Sequence, residues 1–124
     1  METDISPTLT PPLDDAVYRS LAAQALSHVE AEVDRWLEAG IADIDTHRSG
    51  GLLELTFENG SKIILNTQPP LQELWLAARS GGFHYRYRDG QWLDTRNGMD
   101  FIAALSDCAS AQAGRALNFD PIGL

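Results

Sequence analysis

Between positions 50 and 66 the chain reads Gly50-Gly51-Leu52-Leu53-Glu54-Leu55-Thr56-Phe57-Glu58-Asn59-Gly60-Ser61-Lys62-Ile63-Ile64-Leu65-Asn66. From Leu52 to Phe57 the period is two: Leu53, Leu55 and Phe57 point one way, Glu54 and Thr56 the other. Asn59-Gly60 is the strongest hairpin signal in the chain, and Ser61 to Asn66 forms the return strand. One apolar row beside one polar row describes a sheet buried on a single face, which is the habit of antiparallel sheets.

Read outward, the same alternation recurs. Thr67 to Pro70 is expected to break the pattern, and Leu71 to Ala78 to resume it with Leu74, Leu76 and Ala78 opposed to Glu73, Trp75 and Ala77. After Gly81-Gly82, Phe83, Tyr85 and Tyr87 oppose His84, Arg86 and Arg88, and Asp89-Gly90 turns into a short strand around Trp92. Before the hairpin, Ile41 to Arg48 is expected to be a strand joined to the next by Ser49-Gly50-Gly51. At each end the period changes to 3.6. From Asp14 to Ala39 there is no Gly or Pro, and Tyr18, Leu21, Ala22, Ala25, Val29, Val33 and Trp36 share one arc of a long helix. Asp14 and Asp15 suit its start and Gly40 its exit. Asp100 caps a second helix carrying Phe101, Ile102, Leu105, Cys108, Ala109 and Gln112, which Gly114 stops. The order helix, strands, helix predicts an α+β two-layer sandwich, with both helices on one face of an antiparallel sheet of about six strands. Residues 14–124 form one domain in this reading, preceded by a frayed lead over 1–13.

The 124 residues carry 18 acids and 9 Lys or Arg, a formal charge of -9. Through Asp45 there are ten acids against Arg19 and Arg35, a net of -8; the remainder holds eight acids and seven bases, a net of -1. Such a chain is a poor partner for nucleic acid or an anionic membrane. Cys108 stands alone, which rules out a disulfide framework within the chain and spaces like a small buried residue on the second helix. No apolar run approaches the ~20 residues of a membrane span. The first residues lack a basic start and apolar stretch, so a bacterial cytoplasmic protein is expected.

The acidic excess resolves on a helical wheel. Glu30, Asp34 and Glu38 lie at i, i+4 and i+8, about 40° apart at each step, on the solvent side of the first helix. Such pairs repel by roughly 0.2–0.5 kcal/mol each, and Glu38 sits at the wrong end of the helix dipole. Asp43 and Asp45 alternate along the expected first strand with His47 next, so five carboxylates are expected on one rim if that strand lies beside the helix. They offer hard oxygen donors to Fe²⁺, Fe³⁺, Ca²⁺, Mg²⁺ or Mn²⁺ with retained water, or a docking face for a basic protein, or a solvated surface. Glu32 points away from this row and is expected to pair with His28. On the sheet, Thr56, Ile64, Asn66, Trp75 and Ala77 are expected on the face without helices, with Trp75 as either an interface anchor or a half-buried ring. Arg86 and Arg88 point outward toward a partner or nearby acids. No phosphate-cradling glycine loop, HExxH or nucleophile elbow is present, and nothing reads as an enzyme.

The Gly50–Asn66 stretch, followed by Asn66-x-Gln68-x-Pro70-x4-Trp75-Leu76, closely resembles the bacterial, CyaY-type branch of the frataxin family. Gly81-Gly82-Phe83-His84-Tyr85, Trp92, Asn97-Gly98 and Gln112-Ala113-Gly114 fall in the expected order, so the resemblance covers about residues 16 to 119. It implies the same sandwich, weak surface binding of iron through an acidic ridge, and a monomer without metal. It further implies a regulator of iron–sulfur cluster assembly that contacts the cysteine desulfurase and the scaffold protein. An iron-independent docking protein acting on the desulfurase by charge alone is the other reading. The ridge positions correspond to Glu30, Asp34, Asp43 and Asp45, with Glu38 added from the helical row, and the sheet-surface motif to Asn66, Gln68 and Trp75. Ala31, Arg35 and His47 stand where bacterial relatives often carry acids, which implies a thinner ridge and fewer or weaker iron sites.

Overall fold

The computed structural model describes residues 12–123. Most of the expected frayed lead, up to Pro11, lies outside the described residues. Leu13, at its end, is tied down: its N–H donates to Gln72 Oε1 at 2.9 Å and its carbonyl accepts from Gln72 Nε2 at 2.8 Å. The elements are α1 (Asp15–Glu38), β1 (Asp45–Ser49), β2 (Leu52–Thr56), β3 (Lys62–Gln68), one 3-10 turn (Pro69–Leu71), β4 (Glu73–Ala78), β5 (Gly81–Arg88), β6 (Gln91–Asp94) and α2 (Phe101–Ala113).

The strands pair in chain order into one antiparallel meander. Both helices cover the face that carries Leu53, Leu55, Ile63, Leu65, Leu74, Leu76 and Tyr85, all essentially inaccessible to solvent, with α1 against β1 and β2 and α2 against β6. The helices contribute Tyr18, Leu26, Val29, Val33, Phe101 and Leu105 to the same core. At roughly 1.5–3 kcal/mol for each fully buried large apolar side chain, this layer supplies the main driving force for folding. The opposite sheet face is left open.

Capping follows the sequence closely. Asp14 accepts from the N–H groups of Ala16 and Val17, and Asp100 from that of Ala103. At the end of α1, Gly40 takes φ +71°. The Gly40 N–H donates to the Leu37 carbonyl at 3.2 Å and the Ile41 N–H to the Trp36 carbonyl at 2.8 Å, the paired bonds of a Schellman exit. This exit corrects one expected boundary. Ile41 and Ala42 both donate backward to the Trp36 carbonyl, so the strand expected from Ile41 begins only at Asp45.

Two further boundaries moved. Thr67 and Gln68 remain in β3, opposite Leu74 and Glu73, and β4 begins at Glu73 instead of Leu71. The break is confined to the Pro69–Leu71 turn, where two prolines cannot donate to a ladder, and Gln72 at φ +53° redirects the chain. Asp89-Gly90 is a two-residue hairpin loop in which both residues have positive φ, the mark of a type I′ turn. At Asn59-Gly60 only Gly60 does, and the loop spans Phe57 to Ser61, closed by Phe57 N–H on the Ser61 carbonyl at 2.9 Å. Gly51 is required for a different reason: a Cβ there would collide with Thr67 Oγ1, while the Gly51 carbonyl accepts from the Thr67 N–H at 2.8 Å.

Candidate functional site

Two surfaces carry the residues singled out by sequence. The first is the acidic edge. Glu30 is half-buried and already paired, its Oε1 lying 3.0 Å from Arg48 Nη1. Arg48 reaches the helix because it stands opposite Leu53 and therefore points to the covered side of the sheet. Asp34 and Glu38 are exposed along α1, and Asp43 is exposed in the link before β1. Asp45 is opposite Thr56, and His47 opposite Glu54, so both point to the open face and away from α1. The five carboxylates thus border one edge of the molecule without sharing one direction. Among the described residues, no three Asp, Glu, His or Cys side chains converge on a point that could hold a metal ion. The row is an open array of hard oxygen donors in which water must complete any ion's shell.

Glu32 has a separate task. It is buried, lies 3.6 Å from His28 Nε2, and its Oε1 accepts from the Asp120 N–H at 3.0 Å. His28 Nε2 lies 2.7 Å from the Asp120 carbonyl. The expected His28–Glu32 pair is present, and what it does is hold the C-terminal segment against α1. Two α2 serines do the same: Ser110 Oγ bonds both backbone groups of Leu117, and Ser106 Oγ accepts from Phe119 N–H.

The second surface is the open sheet face. Asn66 is opposite Trp75 and Ile64 opposite Ala77, so the expected outward row is assembled as one patch. Trp75 is half-buried and held by two neighbours, Glu73 and His84, with Arg86 holding Glu73 in turn. Its indole Nε1–H donates to Glu73 Oε1 at 2.8 Å, and its ring stacks on His84 with centroids 4.1 Å apart and planes within 7°. Arg86 Nε lies 3.4 Å from the other Glu73 oxygen. Sequence reasoning placed Glu73, His84 and Arg86 on outward rows and expected Arg86 to meet a partner or a nearby acid, which Glu73 is, but missed Glu73 and His84 as the groups that hold Trp75. The signal is the register that sets Trp75 beside His84 and Glu73 beside Arg86, which alternation within one strand does not contain. Gln68, at the end of β3, is anchored from beneath: its backbone N–H donates to the Tyr18 hydroxyl at 3.1 Å, and that hydroxyl donates to the Glu73 carbonyl at 2.7 Å. Burial raises the Tyr18 phenol above its ordinary range. Farther along the face, the Lys62 ammonium holds the Glu54 carboxyl below its ordinary range.

Gln112 has a structural role: it is buried, donating to Ser61 Oγ and the Lys62 carbonyl and accepting from the Arg79 N–H, which locks α2 to two loops. Cys108 is buried, as its spacing implied. No helix among the described residues is long and apolar enough to cross a membrane.

The Frataxin-like domain model matches residues 11–115 of the chain. The chain belongs to the frataxin family. Frataxin-family relatives include the iron-sulfur cluster assembly protein CyaY of Cupriavidus taiwanensis, 54% identical over 110 residues, covering 88% of this chain and 98% of that protein. The protein of the same name from Cupriavidus necator is 55% identical over 108 residues, covering 86% and 96%. Among solved structures, frataxin from Psychromonas ingrahamii superposes with a TM-score of 0.76 at 37% identity, covering 87% of this chain and 99% of that one. The frataxin-family fold is therefore the two-helix, one-sheet sandwich described above.

Proposed function

We propose that this frataxin-family chain is a non-catalytic regulator of iron–sulfur cluster assembly in the bacterial cytosol. It takes up ferrous or ferric iron as cargo along Glu30, Asp34, Glu38, Asp43 and Asp45. The same acids dock on a basic surface of the cysteine desulfurase, and Asn66, Gln68 and Trp75 engage the desulfurase or the scaffold protein. The observation that carries this reading is the pairing of an exposed acid row with an indole held in place on the adjoining open face. Oxygen donors without a cage suit weak, hydrated iron that can be passed on, and an acid row suits long-range attraction to a basic partner. The fixed indole suits short-range recognition, since an anchor whose rotamer is already set loses little freedom on binding.

The test is anaerobic titration with Fe²⁺ followed by amide shifts, together with desulfurase affinity measured with and without iron over a range of salt. Shifts centred on residues 30–45 and an iron-dependent change in affinity are expected. Strong shifts confined to the sheet face would refute the iron assignment. The second reading is an iron-independent docking protein. Its support is that Glu30 is already neutralised by Arg48, which removes one donor from a thin row. Affinity that falls steeply with salt yet ignores iron would select it.

A further inference from the structure

A groove of about 370 Å³ lies where the C-terminal end of α1, the link to β1, the β2–β3 loop and the C-terminal end of α2 meet. Its apolar lining is deep as well as exposed. Ile44 and Phe57 are buried at its base, whereas Leu37 and Ile41 stand 49% and 40% exposed at its side. Exposed large apolar side chains are unremarkable singly, but a concave site that gathers two of them over buried ones is a place to insert a side chain. Ile41 is not loosely placed. The Schellman bonds that end α1 fix its backbone, so the exposed isoleucine is presented by the same geometry that terminates the helix.

The charge around this groove is one-sided. Asp43 and Glu58 line it against the single cation Arg115, and Glu38, exposed next to Leu37, adds a third acid. Asp43 is also a member of the acidic row, so row and groove are continuous. An occupant must therefore bring apolar area to meet Leu37 and Ile41 and positive charge to meet Glu38, Asp43 and Glu58.

We propose that this groove is a docking site for a basic partner segment that inserts one large apolar side chain between Leu37 and Ile41 while its lysines or arginines meet Asp43 and Glu58. The inference deepens the docking reading above, on which it rests for the identity of the partner, and adds to it an apolar anchor. Charge alone would hold a partner anywhere along the row; the anchor gives the contact a register.

The experiment has two arms. In the first, three short peptides are titrated into the labelled full chain: one alternating lysine and leucine, one of lysine and glycine, one alternating glutamate and leucine. Only the lysine–leucine peptide is expected to move the amides of Leu37, Ile41 and Ala113, and Ile41→Ser is expected to weaken it about tenfold while Ile41→Leu restores it. Equal shifts with the lysine–glycine peptide, or unchanged binding by Ile41→Ser, would overturn the groove. In the second arm the desulfurase replaces the peptide. Loss of affinity in Ile41→Ser that persists at high salt supports the anchor. Normal binding by Ile41→Ser with loss in Asp34→Lys sinks the anchor and leaves the charge reading intact, whereas normal binding by Asp34→Lys sinks the charge reading. Matching melting temperatures for the variants exclude a folding effect, as expected for an exposed position.

Discussion

The acidic edge and the open sheet face border the same molecule but are built on opposite plans. Along the edge, Asp34, Glu38 and Asp43 are exposed and spread over a helix and a link. On the face, Glu73, Trp75, His84 and Arg86 are locked by a hydrogen bond, a stack and an ion pair within three residues' width. Dispersed charge acts over several ångströms and tolerates imprecise placement, because Coulomb attraction falls slowly with distance. A preset aromatic acts only on contact and demands placement. The contrast teaches that this fold separates attraction from recognition.

That contrast can be broken by stability measurements. The largest effect is expected on the face. Glu73→Ala removes the acceptor of the Trp75 indole and the partner of Arg86, and should cost about 2 kcal/mol in urea denaturation. Glu73→Gln keeps the acceptor and should lose less. If Glu73→Ala were neutral, Glu73 would not be what preorganises the face.

The next effect lies directly beneath it. The Tyr18 phenol is raised by burial, so its share of stability is fully present below the ordinary phenol value of 10.0 and is lost as pH climbs through the raised folded value. Tyr85, also raised by burial with Asp94 contributing, acts in the same direction. The protection factor of the Gln68 N–H, which corrects for base-catalysed intrinsic exchange, should fall above about pH 10 in the wild-type chain more than those of the amides of Asp34 and Glu38. Tyr18→Phe, which leaves the Glu73 carbonyl and Gln68 N–H without their partner, should cost roughly 1–2 kcal/mol at neutral pH. Uniform alkaline loosening of both regions would erase the distinction.

Smaller changes are expected at the edge. Glu30→Lys sets a lysine against Arg48 and should cost about 1 kcal/mol, with Arg48→Glu in the same chain restoring most of it. Smallest of all, Asp34→Lys and Glu38→Lys should each leave stability unchanged or raise it by about 0.2–0.5 kcal/mol in thermal melts, since each relieves like-charge repulsion. Glu38→Lys also places a cation at the C-terminal end of α1, where the helix dipole favours it. A loss of stability at Asp34 or Glu38 would mean that these acids have partners the edge does not display.

Much of this was legible from residues alone. The Asp14 and Asp100 caps, the Gly40 and Gly114 exits, and the two-sided alternation of β2 to β5 are local, and local signals survive without knowledge of neighbours. The start of β1 differs because the helix exit reaches past Gly40. The apolar, alternating pattern from Ile41 predicts strand, but the Ile41 N–H is taken by the Trp36 carbonyl, five residues back. Glu30 was read as one of three equivalent acids, yet Arg48, eighteen positions later, reaches it across the sheet edge. The face of Trp75 is legible from alternation, but its stacking partner His84, and the Arg86 that pairs with Glu73, come from the next strand through the β4–β5 register, in which Ala78 is opposite Gly81 across the Arg79-Ser80 turn.

By itself the sequence determined the element types, the sheet's single buried face, the family, and the concentration of acid in the first third of the chain, since each depends on periodicity or on residues close in sequence. Only the tertiary structure decided which acid is neutralised, which strand neighbours hold the indole, and that Leu37 and Ile41 open onto a groove with Phe57. The reason is physical: helix and strand periods assign a side chain to a face, but distances between side chains on different elements are set by strand register and helix exit, and attraction, stacking and burial all depend on those distances.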